Sequence, residues 1–252
     1  MADAYEQQLV PALFRPFALD LAHRAAAGAP RDILELAAGT GALTRELAAL
    51  PGAAVVATDL NPAMVETGAR LAPLATWRPA DATALPFDDE TFDLTCCQFG
   101  VMFFPDRPAA AREVRRVLRP GGRYLLSTWG RIEEHGFGAA IVAALTEVLP
   151  AGPPPFLAAI PHGYHDPDQV TADLVAGGFD DVAVDTITLE GSSTAHDLAV
   201  GFCTGTPMRP TLEAGGDLAG TVEAVHGALV RELGDGVVTA RMTAHVAEAR
   251  NR

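Results

Sequence analysis

Short apolar runs alternate with amphipathic segments through the first half of the chain. The runs have the length and composition of buried strands, and the segments between them repeat apolar residues at helical spacing. The five strand candidates are DILEL, AAVVATDL, LATWRPA, FDLTCCQF and RYLLSTW. Strands that alternate with helices in this way predict a parallel sheet wound by right-handed crossovers, which is a doubly wound α/β fold.

The regular alternation of strands and helices ends after Trp129. Helices are predicted over 5–28, at GFGAAIVAALTEVL, at DPDQVTADLVAGGF and over about 211–233. Two further strands, DDVAVDTITLE and VVTARMTAHVAEA, alternate apolar and polar residues and predict an antiparallel pair that completes a seven-stranded sheet. We expect a single domain over 1–252, with a core at about 30–130 and a small helical cap at about 1–28, 131–165 and 195–233.

Charge and composition narrow the possible partners. The net charge is -14, so the surface repels nucleic acids and anionic membranes, and neither is expected as a partner. The start MADAYEQQLV lacks the features of a signal peptide, and no apolar run is long enough for a membrane span. The three cysteines have no metal-ligand spacing and are expected as reduced, packed thiols. These features predict a cytoplasmic protein, either a monomer or a homodimer, with no bound metal.

A glycine-containing turn follows the first predicted strand. It reads Leu-Ala-Ala-Gly-Thr-Gly over 36–41, after Glu35, and it opens a helix. This position is the carboxyl edge of the sheet, where ligands bind in such folds. Gly39 and Gly41 allow backbone N–H groups to approach a ligand closely, although a tight turn alone would also favour glycine.

Carboxylates follow the next two strands. Asp59 ends the second strand and can accept two hydrogen bonds from the ribose diol of an adenine nucleoside, although a carboxylate near a helix N-terminus is an alternative explanation. Asp81 follows the third strand, where its carboxylate and the next backbone N–H could bind adenine.

A dinucleotide cofactor is the competing hypothesis. The G-x-G-x-x-G fingerprint requires a third glycine, but Thr44 stands there. The negative charge of Glu35 disfavours a pyrophosphate and favours a cofactor with a positive centre.

Four segments of the sequence resemble the motifs of a known family: ILELAAGTGALTREL, VVATDLNPAMV, DATALPFDDETFDLTCCQFGVMFFPD and RVLRPGGRYLLSTW. Together they resemble class I methyltransferases, nearest to the ubiquinone/menaquinone-biosynthesis-type group, over about 30–130. The resemblance implies a Rossmann-like fold and S-adenosylmethionine as cofactor. It also implies a set of cofactor-binding residues: Glu35, Ala37, Gly39, Thr40, Gly41, Asp59, Leu60, Met64, Asp81, Ala82, Cys97 and Gln98. Ala37 departs from the three-glycine form of the loop that is frequent in the family.

The acceptor is expected to be a small, partly hydrophobic molecule, methylated on oxygen, nitrogen or carbon. Its binding residues are predicted from aromatic positions outside the cofactor motifs, most of which could equally pack the core: Tyr5, Phe14, Phe103 and Trp129. His135, His162 and His165 are the candidate general bases, whereas the remaining His196, His226 and His245 are expected on the surface. A silent S-adenosylmethionine-binding regulatory module is the alternative function, and an NAD-dependent dehydrogenase is a distant third.

Overall fold

Seven strands form one sheet in a computed structural model that describes all residues from Met1 to Arg252. The strands are β1 (Asp32–Glu35), β2 (Ala54–Asp59), β3 (Thr76–Pro79), β4 (Phe92–Gln98), β5 (Leu118–Trp129), β6 (Asp181–Thr194) and β7 (Val237–Arg250). Their order in the sheet is β3-β2-β1-β4-β5-β7-β6. The strands β1 to β5 pair in parallel, whereas β7 runs antiparallel to β5 and to β6. The predicted doubly wound sheet with an antiparallel C-terminal pair is confirmed.

Eleven α-helices accompany the strands. They are α1 (Ala2–Ala4), α2 (Arg15–Ala26), α3 (Ala42–Ala48), α4 (Pro62–Leu71), α5 (Arg107–Val117), α6 (Gly136–Val148), α7 (Phe156–Ala159), α8 (Pro167–Ala176), α9 (Ala195–Gly205), α10 (Arg209–Ala214) and α11 (Leu218–Leu233). A π-helical segment, Tyr5–Phe14, connects α1 to α2, and short 3-10 helices cover Val101–Phe103 and Ile132–Glu134. None of the helices combines the length and the apolar composition that a membrane span requires.

The chain divides into two compact units. The first, which we call the sheet unit, comprises Phe17–Trp129, Tyr164–Ile187 and Ala244–Arg252. The second, which we call the helical unit, comprises Met1–Pro16, Gly130–Gly163 and Thr188–Thr243. The organisation as a single domain with a core and a cap stays a prediction.

The core of the sheet unit packs two helices against the inner strands. Small and branched apolar side chains of α2 and α3 meet those of β1, β2, β4, β5 and β7. The cluster consists of Ala18, Leu21, Ala22, Ala25, Ile33, Leu43, Leu47, Val55, Leu94, Cys96, Leu125 and Val246. Because the parallel strands are buried here, their carboxyl ends are fixed relative to one another at one edge of the sheet.

Three sequence-based expectations need correction. The single stretch expected over 211–233 is two helices, because α10 ends at Gly215-Gly216, where Gly216 has a φ of 106°, and Asp217 then caps α11. The helix expected over 5–28 contains π-helical turns and ends at Ala26. His245 is buried rather than on the surface, and its Nδ1 lies 2.9 Å from the Thr186 hydroxyl.

Candidate functional site

The loop after β1 turns sharply at the carboxyl edge of the sheet unit. Its Ala38 N–H donates to the carbonyl of Thr58, which ties the loop to β2. Ala37, Gly39 and Gly41 adopt left-handed backbone conformations, with φ of 50°, 57° and 92°. A Cβ added at Gly39 would meet no atom within 4 Å, so open space adjoins the loop at this point. The loop can therefore present its backbone to a ligand.

Asp59, at the end of β2, is bonded to this loop. Its Oδ2 accepts a hydrogen bond from the Gly39 N–H at 2.9 Å, and its Oδ1 accepts one from the Asn61 N–H at 2.8 Å. Burial raises the pKa of the Asp59 carboxyl. The cap of α4 is Asn61, whose Oδ1 accepts from the Ala63 N–H, so helix capping does not explain Asp59. The backbone N–H of Leu60 also bonds this carboxylate, which still retains acceptor capacity for a ligand.

Glu35 lies beneath the loop and is only 1% exposed. Its Oε2 accepts a hydrogen bond of 2.6 Å from the hydroxyl of Thr44, in the first turn of α3. The pKa of Glu35 is raised to about 8. Burial is the main cause and the nearby charge of Asp59 adds to it, whereas Thr44 and Arg45 offset part of the rise. Two carboxyl groups thus adjoin one glycine loop, which favours a ligand with a positive centre and disfavours a pyrophosphate.

Asp81 lies one strand further out along the same edge. β3 pairs in parallel with β2, with Pro79 opposite Asp59, and Asp81 follows two residues later. The Asp81 Oδ1 accepts hydrogen bonds from the N–H and the hydroxyl of Thr83, which lower the pKa of this exposed carboxyl. The following residue, Ala82, is half-buried.

The end of β4 packs directly on the glycine loop. A Cβ added at Gly100 would lie 2.5 Å from the Cβ of Ala37 and 2.9 Å from the Sγ of Cys97. Gln98 is half-buried, and Phe99 has a φ of 52°, a left-handed conformation that is costly for an aromatic residue. Burial raises the pKa of the Cys97 thiol to about 12, so it stays protonated.

The other predicted cofactor residues lie next to these groups in the chain. Leu60, directly after Asp59, is 71% exposed, which is unusual for a large apolar side chain. Met64 is half-buried in the first turn of α4, and Thr40 is buried within the loop. All twelve predicted cofactor residues therefore lie in the sheet unit, near the ends of β1 to β4.

Two of the predicted general bases lie in the helical unit. His135 is buried and caps α6, because its Nδ1 accepts the Gly138 N–H at 3.0 Å. Burial lowers the pKa of His135 to about 3, and His162, whose ring centroid is 5.2 Å away, lowers it further. The Nδ1 of His162 lies 2.9 Å from the Gly130 carbonyl oxygen. Since a carbonyl only accepts, this nitrogen carries a proton.

The third candidate base, His165, is half-buried in the sheet unit. It directly precedes Asp166, which caps α8 by accepting the Asp168 N–H at 2.9 Å. The helix-start chemistry expected at this position is therefore present, and a catalytic role for His165 stays a prediction.

The aromatic residues predicted to bind the acceptor form separate contacts in each unit. Within the helical unit, Tyr5 and Phe14 lie 4.9 Å apart, measured between ring centroids. Within the sheet unit, Trp129 stacks on Phe99 at 3.6 Å and is buried, whereas Phe103 is 49% exposed. Trp129 therefore packs the carboxyl edge of the sheet, while Phe103 is accessible to a ligand.

Three residues of the site were not predicted as such. Thr44 was noted only because it replaces a glycine, although a hydroxyl one turn into α3 can reach a carboxylate at the end of β1. Phe99 and Gly100 begin the stretch 99–104, which the sequence suggests only as part of the acceptor site and not as a contact of the glycine loop. Their contact with the loop depends on the strand order β1-β4, which a single sequence does not display.

Comparison with known proteins agrees with this geometry. The family model described as a methyltransferase domain matches residues 34–126, which include the glycine loop, Asp59, Asp81 and the end of β4. Residues 34–126 therefore carry a methyltransferase domain.

Relatives and solved structures extend the comparison. Demethylmenaquinone methyltransferase of Thermus thermophilus is 39% identical over 127 residues, which cover 48% of this chain and 58% of the relative. The YcgJ protein from Bacillus subtilis superposes with a TM-score of 0.60 at 18% identity and covers 94% of this chain and 99% of its own. Phosphoethanolamine N-methyltransferase 2 from Haemonchus contortus, solved with S-adenosylhomocysteine, gives a TM-score of 0.62 at 15% identity, covering 99% of this chain and 57% of its own.

The chain spans about half the length of the curated relatives it matches, between 36% and 58%. The structural matches, at 18% and 15% identity, establish a common fold.

Proposed function

We propose that the protein transfers the methyl group of S-adenosylmethionine to an oxygen, nitrogen or carbon nucleophile of a small, partly hydrophobic molecule. The observation that carries the proposal is the bond between the Asp59 carboxylate and the Gly39 N–H, directly beside the buried carboxyl of Glu35. This arrangement provides acceptors for a ribose diol and a negative environment for a sulfonium.

The residues at the site match the parts of this cofactor. Asp59 would accept a hydrogen bond from the ribose diol through the acceptor capacity that the N–H groups of Gly39, Leu60 and Asn61 leave available. The exposed side chain of Leu60 would cover one face of the adenine. Asp81 and the N–H of Ala82 would bind its polar edge. The open loop at Gly39 would hold the methionine moiety.

S-adenosylmethionine supplies an electrophilic methyl group on a positively charged sulfur. The protein must therefore hold the donor and exclude water, because the thioether leaving group needs no proton. Phe99 and Trp129 would help to exclude water, because their stacked rings are buried in the sheet unit next to Gln98.

A general base is needed only where the nucleophile carries a proton. The candidates for this role stay His135, His162 and His165; the Nδ1 of His135 caps α6 and the Nδ1 of His162 bonds the Gly130 carbonyl. The similarity to a demethylmenaquinone methyltransferase supports a quinone-type acceptor.

Binding and turnover measurements test the proposal in sequence. Calorimetry should detect S-adenosylmethionine and S-adenosylhomocysteine but not NAD. Methyl-labelled S-adenosylmethionine should then label acceptors from a panel of phenols, hydroquinones, amines and keto acids. Binding of NAD alone would refute the methyltransferase function. Cofactor binding with no transfer to any acceptor class would favour the regulatory module.

A further inference from the structure

The pair formed by Thr44 and Glu35 gives the cofactor site a carboxyl group without a cationic hydrogen-bond donor. Glu35 is 1% exposed, and the donor to its Oε2 is the neutral hydroxyl of Thr44 at 2.6 Å. Thr44 is itself fully buried. A buried carboxylate with one neutral donor is unfavourable, so the protonated and ionised forms are closely balanced near neutral pH.

Neighbouring charged and titratable groups also act on the ionisation of Glu35. The charged and titratable groups that act on it come from three elements: Asp59 on β2, Arg45 on α3, and Cys96 and Cys97 on β4. Asp59 opposes ionisation, and Arg45 supports it more weakly. Burial raises the pKa of both thiols, so they remain neutral and do not compensate a charge on Glu35. A positive charge brought to the adjoining loop would therefore be the strongest stabiliser of the ionised form.

We propose that the Thr44–Glu35 pair selects the cofactor by charge: Glu35 releases more of its proton to solvent when a sulfonium-bearing nucleoside binds than when the thioether product, which carries the same ammonium but no sulfonium, binds. The inference rests on the proposed function. The proton is the one on the Glu35 carboxyl, the hydrogen bond from Thr44 is retained, and no other bond changes. Above neutral pH the pair favours donor over product, which assists product exchange after each transfer.

The proposal fixes the direction of the pH dependence. The pKa of Glu35 is about 8 without ligand, and a nearby positive charge lowers it. Donor affinity therefore rises with pH and levels off above about 8. If the charge lowers the pKa by one unit, the gain is about tenfold. Product affinity rises less with pH, because the product brings the ammonium of its methionine moiety but no sulfonium.

Proton counting by calorimetry tests the inference directly. S-adenosylmethionine and S-adenosylhomocysteine are each titrated into the full-length protein at pH 7.5, in buffers with different ionisation enthalpies. We expect the donor to release about half a proton or more, in excess of the product. Equal proton release by the two ligands would overturn the inference while leaving the proposed function intact. Failure of both ligands to bind would overturn the proposed function, and the inference with it.

Variants assign the proton to Glu35. Glu35→Gln should lower the excess release by about half a proton, whereas Glu223→Gln, which removes an 83% exposed carboxylate in the helical unit, should leave it unchanged. The amino groups of donor and product titrate differently, but this contribution is the same in every variant and cancels when the variants are compared. Excess release that persists in a folded Glu35→Gln protein would contradict the assignment.

Thr44 provides a test that keeps the carboxyl in place. Thr44→Val removes the hydroxyl donor, so the rise of donor affinity should move to higher pH, and Thr44→Ser should restore it. An identical pH profile in the valine and serine variants would exclude a role for the hydroxyl. If Glu35→Gln does not fold, this pair and the proton count of the natural protein still decide the proposal.

Discussion

Replacing Glu35 by glutamine should remove a defined part of the pH dependence of stability. In the folded protein, burial and Asp59 hold the pKa of this carboxyl at about 8, compared with an ordinary value of 4.5. Between these values the folded state keeps a proton that the unfolded chain has lost. The free energy of unfolding contributed by Glu35 therefore falls as the pH rises from about 4.5 to about 8.

The magnitude follows from the shift. One pH unit within this interval corresponds to about 1.4 kcal/mol, so the contribution of Glu35 changes by about 3 kcal/mol between pH 5.0 and pH 7.5. Glutamine keeps an oxygen for the Thr44 hydroxyl but adds two buried N–H donors, at a pH-independent cost of about 1–3 kcal/mol. Relative to the natural protein, the variant should thus be less stable at pH 5.0 and of equal or greater stability at pH 7.5.

Urea unfolding followed by circular dichroism measures this difference. The natural protein, Glu35→Gln and the exposed control Glu223→Gln are compared at pH 5.0, 6.0 and 7.5. All other titrating groups are shared, so the difference between the first two proteins isolates Glu35. A stability difference that stays constant across the three pH values would refute the buried, proton-holding state of this carboxyl.

Two further predictions concern the loop. Asp59→Ala should weaken S-adenosylmethionine binding by about 1–3 kcal/mol in calorimetry, because it removes the ribose acceptor and the partner of the Gly39 N–H; unchanged affinity would place the ribose elsewhere. Gly100→Ala should lower the free energy of unfolding by about 1–3 kcal/mol, since its Cβ would lie 2.5 Å from that of Ala37. Adding Ala37→Gly to this variant should recover about 0.5 kcal/mol or more of the lost free energy of unfolding, measured by urea unfolding in a double-mutant cycle. Strictly additive effects of the two substitutions would show that the added Cβ does not contact Ala37.

The sequence predicts those site residues that directly follow a strand. Apolar runs mark β1 and β2, and a parallel sheet places their carboxyl ends on one edge, so Gly39 and Asp59 could be expected together before their 2.9 Å bond was observed. The antiparallel closure by β7 was equally visible, because its alternation differs from that of the buried parallel strands.

The remainder depends on contacts that no local pattern displays. The bond from Thr44 to Glu35 requires the first turn of α3 to face back beneath the loop, which is a matter of packing. The left-handed conformation of Phe99 is imposed by neighbours and runs against the preference of its residue type. His135 was selected as a titrating histidine, whereas its burial and its helix-capping Nδ1 were not evident from the residues around it.

A crystal structure of the protein with S-adenosylhomocysteine tests the central claim most directly. We predict the ribose hydroxyls within hydrogen-bonding distance of the Asp59 carboxylate, the methionine moiety at the backbone of Gly39, and the adenine beside Leu60 and Asp81. A nucleoside bound away from the ends of β1 and β2, with Asp59 making no contact to it, would contradict the account.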